Sequence, residues 1–250
     1  MVLTRPEIMS GIKKFPNFIP HPTIPLKFII GGRKSALKEA VEISLKQMAR
    51  NIYQNEVFNS ENIRFFSLLG KIGGYSQEML YRLIRFYKPT IVIETGVYRG
   101  ISSSFILQAL EDNGKGSLYS IDLPMAKYVD ERGNLDYSPL SQGEITGFCV
   151  PDKLKKRWSL ILGDSKTELP LLLEKVKSVD MFYHDSEHTY NTMMREYETV
   201  FPYLNKNSIL SSDDVSWNNA FKDFCHSHRL EYFMVKNKFG YANVKRDDAV

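Results

Sequence analysis

The chain has 250 residues, 43% hydrophobic, 25% charged and 12% aromatic, with a formal net charge of +4. That length suits one large domain with an appendage, and the composition is that of an ordinary globular protein. The basic residues are scattered, clustering only in short runs such as "KLKKR" at 153–157, which reads as solvated surface and argues against a nucleic-acid partner. No apolar run approaches the roughly 18 residues of a membrane span, and "MVLTRPEIMSGIKKF" lacks the apolar core of a signal peptide. Cys149 and Cys225 have no CxxC spacing and cannot make a disulfide framework, so a cytoplasmic protein without a membrane partner is expected.

Pro6, Pro16, Pro20, Pro22 and Pro25 force an extended, irregular path on residues 1–34, an arm on the surface or a lid. Leu37, Val41, Leu45, Met48 and Ile52 then recur every three or four residues, an apolar helical stripe that could pair subunits. A second helical run covers 62–69. After "GKIGG", Ser76 is placed to cap a helix carrying Met79, Leu80, Leu83 and Ile84, which Pro89 stops. Residues 1–88 are thus expected to form an arm and helical extension, supplying a substrate wall, a lid or an oligomer contact. Residues 89–250 should form the main domain.

From residue 91 the pattern is rhythmic. Strand-like runs at 91–94, 118–122, 159–162, 179–184 and 208–212 alternate with helical patterns at 102–110, 167–176 and 189–204. Alternation of this kind predicts an α/β fold with a parallel sheet and right-handed crossovers. A helix near 218–226 precedes "LEYFMVK" and "FGYANVK", which only "NK" separates, so those two strands must be antiparallel neighbours. The sheet then has seven strands, mostly parallel, with an antiparallel last strand. Residues 124–157 are too long for an ordinary crossover and are expected to be an insertion near the ligand rim.

In an open parallel sheet, ligands sit at the carboxyl ends of the strands. The first strand ends in "ETGVYRG", with Gly96 free to turn close to a ligand and Gly100 at the start of the next helix. The spacing is G-x-x-x-G, neither the dinucleotide fingerprint nor a P-loop, and by itself it also suits a turn without a ligand. The second strand ends in Asp122, a carboxylate able to accept two ribose hydroxyls, or simply a turn residue. The third ends in Gly163-Asp164-Ser165, which could meet an adenine edge or cap the following helix.

Together these strand ends resemble the class I S-adenosylmethionine-dependent methyltransferases, whose fold is Rossmann-like with an antiparallel final strand. The resemblance spans residue 91 to the terminal hairpin. It implies S-adenosylmethionine as cofactor, held by Glu94, Gly96, Tyr98, Gly100, Ser102, Asp122, Gly163, Asp164, Ser165 and Asp185.

The fourth strand ends in "MFYHDSEHTY" and the fifth in "ILSSDDVSW", so Asp185, Asp213 and Asp214 are presented to one crevice. Converging carboxylates repel one another, and a hard divalent cation, Mg²⁺ above all, would relieve that repulsion. The order resembles the cation-dependent O-methyltransferases, such as the catechol and macrocin enzymes. That resemblance implies Asp185, Asp213 and Asp214 as metal ligands and a hydroxylated small molecule as acceptor, with a sugar or glycosylated product favoured. His188 replaces the lysine base of the catechol type and is the candidate for taking the hydroxyl proton. His184, Tyr190, His226 and His228 are read as structural. A metal-independent methyltransferase and an inactive nucleotide-binding module remain as alternatives, and a dehydrogenase is disfavoured by the glycine spacing and the hairpin.

Overall fold

The computed structural model describes residues 75–123, 128–129, 135–136, 140 and 144–244. The arm, the 37–52 stripe and the 62–69 run lie outside the described residues. Helix α1 (Tyr75–Tyr87) leads into β1 (Ile91–Thr95), α2 (Ile101–Asp112) and β2 (Ser117–Asp122). Two short strands, β3 (Tyr128–Val129) and β4 (Leu135–Asp136), pair with each other, and a 3₁₀ turn (Asp152–Arg157) precedes β5 (Trp158–Leu162). Then come α3 (Ser165–Val176), β6 (Val179–His184), α4 (Tyr190–Val200), β7 (Leu204–Ser212), α5 (Ala220–Ser227), β8 (Glu231–Val235) and β9 (Phe239–Val244).

The seven-stranded sheet has the order β5-β2-β1-β6-β7-β9-β8. All its neighbours from β5 to β7 are parallel, while β9 runs antiparallel to both β7 and β8. The expected seven strands with an antiparallel last strand are therefore present. β1 reads Ile-Val-Ile because a central parallel strand is buried on both faces, and four of its five residues are buried.

Alternate residues of the same strands feed two cores. Val92, Leu118, Met181 and Ile209 pack with α1 and α2 on one face. Ile93, Ile121, Phe182 and Leu210 pack with α3, α4 and α5 on the other. Each fully buried Leu, Ile or Phe contributes roughly 1.5–3 kcal/mol relative to exposure.

Several boundaries differ from the sequence reading. α1 starts one residue before Ser76, whose hydroxyl donates to Asp213 Oδ1 at 2.6 Å instead of capping the helix. Lys88, at φ +50°, turns the chain out of α1 before Pro89 arrives. The 189–204 helix ends at Val200, because Pro202 lies in a 3₁₀ turn that delivers the chain to β7. β7 begins at Leu204, four residues earlier than the apolar run, through a polar half-exposed stretch.

The order of the sheet positions the site. The chain steps outward from β1 through β2 to β5, then crosses back to lay β6 on the other side of β1. The carboxyl ends of β1 and β6 therefore part where the winding reverses, which is where open α/β sheets bind ligands.

Candidate active site

A cavity of about 420 Å³ opens at these strand ends, within the range of small-molecule sites. Its wall takes residues from the ends of β1, β2, β5, β6 and β7 and from α4. Main-chain hydrogen bonds stitch the ends together: Gly96 N to Ile121 O, Gly163 N to Asp122 O, Asp185 N to Thr95 O and Asp213 N to His184 O, all at 2.8–2.9 Å.

Gly96 sits at φ +84°, and a β-carbon there would meet the Asp185 carbonyl oxygen at 2.0 Å. Gly100, at φ +81°, starts α2, and its missing side chain leaves room for Gly147 and Val150. Asp122 turns its carboxylate onto the glycine loop: Oδ1 accepts Val97 N at 2.9 Å and Tyr98 N at 3.3 Å, and Oδ2 accepts the Thr146 hydroxyl at 3.1 Å. Asp164 caps α3, accepting Lys166 N at 2.8 Å.

The cavity brings together Gly96, Tyr98, Asp122, Gly163, Asp164, Ser165, Asp185, His188 and Asp214. Glu94, Gly100, Ser102 and Asp213 do not line it. Glu94 is fully buried beneath the glycine loop, where its carboxylate accepts the hydroxyls of Ser102 and Ser103 at 2.6 Å and of Ser120 at 2.7 Å. Burial pushes its pKa up to about 7 against the pull of those three hydroxyls. It ties β1 to β2 and to the first turn of α2.

Asp185 is held well above the usual carboxylate range, first by burial and then by the charges of Asp213, Glu94 and Asp214. The Tyr183 hydroxyl donates to its Oδ2 at 3.2 Å. Asp214 adopts φ +43° and lies 3.5 Å from Lys238 Nζ. Asp213 acts on Asp185 from outside the cavity wall, its Oδ1 accepting the Ser76 hydroxyl.

His188 lies 4.0 Å from Asp185 Oδ1. Burial, aided by His184, pushes its pKa down to about 3, so the ring is neutral at physiological pH. Its Nε2 is buried without a hydrogen-bond partner. The Trp217 ring stands 5.2 Å away, tilted by 46°. His184 is fully buried with Nδ1 2.7 Å from Glu196 Oε2, and the Tyr190 hydroxyl donates to Asp223 at 3.2 Å. His226 and His228 lie at the end of α5.

Among the described residues, no group of three His, Cys, Asp or Glu is arranged to hold a metal ion. Asp185 and Asp214 nevertheless share the cavity wall, and their mutual repulsion is the kind a cation relieves. Two carboxylates with water completing the shell are an ordinary Mg²⁺ donor set.

Sequence reasoning missed Trp217, Lys166, Arg195 and Thr192 on the cavity wall, and Glu196 behind it. For Glu196 a signal existed: it is a carboxylate on the apolar stripe of α4, between Met193 and Tyr197.

The sheet order, the antiparallel β9 and the strand-end cavity are those of the class I methyltransferase fold. Residues 93–215, just under half of the chain, match a family model described as a methyltransferase domain. Among solved structures, the calicheamicin methyltransferase CalS11 is 15% identical, with 97% of this chain and 94% of that one covered and a TM-score of 0.52. The Podospora anserina methyltransferase PaMTH1, bound to S-adenosylhomocysteine, is 12% identical, with 99% of each chain covered and a TM-score of 0.51. At these identities the likeness is one of fold. No curated protein matches the chain at the sequence level. No helix among the described residues is long and apolar enough to cross a membrane.

Proposed function

We propose that the chain transfers the methyl group of S-adenosylmethionine to a hydroxyl oxygen of a small molecule, with a sugar or glycosylated acceptor favoured. The observation that carries this reading is the make-up of the cavity wall. It joins a first group, Gly96, Tyr98, Asp122 and the 163–165 turn after β1, β2 and β5, to a second, Asp185, His188, Asp214 and Trp217 after β6 and β7. The first group suits the nucleoside and amino-acid parts of the cofactor. The second offers a polar corner beside an indole face, which suits a ring bearing hydroxyls.

In the reaction, a lone pair of the acceptor oxygen forms the new C–O bond as the C–S bond of the sulfonium breaks. Sulfur keeps that bonding pair, and the oxygen loses its proton. Such a displacement depends mainly on alignment and exclusion of water. The buried, unpartnered Nε2 of His188 is the atom that would hold the acceptor hydroxyl and take up its proton during transfer. Trp217 would bound the ring, and the main-chain stitching of the strand ends keeps both halves of the site in register.

Asp185 and Asp214 are the residues that would hold Mg²⁺. The ion, when bound, lowers the pKa of an acceptor hydroxyl. Asp213, the third ligand that the family pattern implies, would have to leave Ser76 to join them.

Calorimetry with S-adenosylmethionine and with NAD tests the cofactor; heat with NAD alone would overturn the reading. A hydroxylated-acceptor screen read by mass spectrometry tests the transfer, and cofactor binding with no transfer to any acceptor would favour a binding module. Turnover that survives both EDTA and Asp214→Ala would make the enzyme metal-independent.

A further inference from the structure

The carboxylate of Glu196 on α4 is 1% exposed and does not line the cavity, yet it reaches three of the elements that do. Its Oε2 accepts the Thr95 hydroxyl at 2.5 Å and lies 2.7 Å from His184 Nδ1, so it binds the last residues of both β1 and β6. Its Oε1 accepts the Ser186 hydroxyl at 2.8 Å, and the Ser165 hydroxyl donates to the same carboxylate. Ser186 and Ser165 are both cavity residues, one following β6 and the other opening α3.

Burial alone would push this carboxyl up. The charge of His184 and the hydrogen bonds from His184, Ser165 and Thr95 outweigh it and hold the pKa below the usual range. The group is therefore an anion with every direction of its valence used. The neighbouring Tyr197 adds the end of β7, its hydroxyl donating to Ser212 at 2.7 Å. α4 thus gathers three strand ends from beneath.

We propose that Glu196 is a positioning residue that fixes Ser165 and Ser186, and with them the cofactor side of the cavity. The inference rests on the methyltransferase reading, since it names what the placed wall serves. Its physical basis is that a displacement of about 1 Å in a positioned group can cost on the order of a hundredfold in rate or binding. Glutamine retains the shape but offers one acceptor oxygen where the carboxylate offers two, so two of its four partners must turn. Alanine offers none.

The experiment measures S-adenosylhomocysteine binding by calorimetry on wild type, Glu196→Gln, Glu196→Ala, Ser165→Ala and Ser186→Ala, together with thermal midpoints and the KM for both substrates. The expected result is a graded loss of cofactor affinity, about tenfold for glutamine and about a hundredfold for alanine, with acceptor KM nearly unchanged. Glu196→Gln combined with Ser186→Ala should lose less than the product of the two single effects, because both break the same contact. If Glu196→Ala does not fold, the glutamine and serine variants decide. Folded variants that bind S-adenosylhomocysteine as wild type does, or that raise both KM values equally, would overturn the proposal. Wild type that fails to bind S-adenosylhomocysteine would instead overturn the methyltransferase reading, and this proposal with it.

Discussion

Gly96 and Asp185 meet as bare backbone: a β-carbon on the glycine would stand 2.0 Å from the aspartate carbonyl oxygen. The closeness follows from the parallel pairing of β1 with β6, which continues one hydrogen bond past the last paired residues, from Asp185 N to Thr95 O. The glycine loop on the cavity wall is therefore positioned by the strand end that carries Asp185.

Gly96→Ala must either push Asp185 away or abandon φ +84°. The expected cost is about 2–4 kcal/mol of stability, read from urea midpoints, together with loss of S-adenosylhomocysteine binding in the folded fraction. Unchanged binding would show that the loop has room to yield.

Glu94 gives a pH-dependent prediction. Its folded pKa, raised by burial to about 7 from an ordinary 4.5, means that the folded chain holds an extra proton between those values. Stability from this group is greatest below pH 4.5, falls as pH rises towards 7, and is flat above, a change of about 3 kcal/mol. Glu94→Gln, neutral throughout, should lack that slope. Urea midpoints of both proteins at pH 5 and pH 8 measure it, and parallel profiles would contradict the assignment.

Trp217 is 46% exposed, enough of its ring to meet a ligand. Trp217→Ala is expected to raise the acceptor KM about tenfold, or about 1.4 kcal/mol, and to leave the cofactor KM in place. Trp217→Phe should recover most of the loss. Equal effects on both substrates would remove Trp217 from the acceptor side.

The Ser76–Asp213 hydrogen bond, between a buried hydroxyl and a carboxylate, joins α1 to the end of β7. Ser76→Ala should cost about 2 kcal/mol, and a double-mutant cycle with Asp213→Asn should show the two effects coupled. The same pair separates two roles for Asp213. If it only anchors α1, both substitutions leave turnover per folded molecule unchanged; if it is a metal ligand, Asp213→Asn alone removes it.

What the sequence disclosed follows from where its constraints are local. Residues 179–184 were readable as a strand because "VDMFYH" lies mostly buried between two helical layers and stops at a polar turn. The antiparallel hairpin was readable from the brevity of its connection. The first half of β7 was not, since Asn205, Lys206 and Asn207 carry no strand pattern and lie in the register shift between the Val179–Leu204 and Met181–Ile209 pairs. In the site, the strand-end residues were legible as positions, but not the directions of their side chains. Asp122 turned onto the main chain of Val97 and Tyr98, and Ser76 onto a residue 137 positions away, because contacts at that distance have no local signature. Glu196 was hidden for the same reason: its four partners come from three separate stretches of chain.

The place of β9 between β7 and β8 has a consequence for synthesis on the ribosome. A nascent chain halted before Phe239 owns β7 and β8 but nothing to join them, and β7 then displays an open edge to any passing strand. The turn before β9 also supplies Lys238, whose carbonyl receives Val215 N and whose ammonium faces Asp214. The acidic corner of the cavity is thus completed only once the turn between β8 and β9 has been made, after every residue named on the cavity wall.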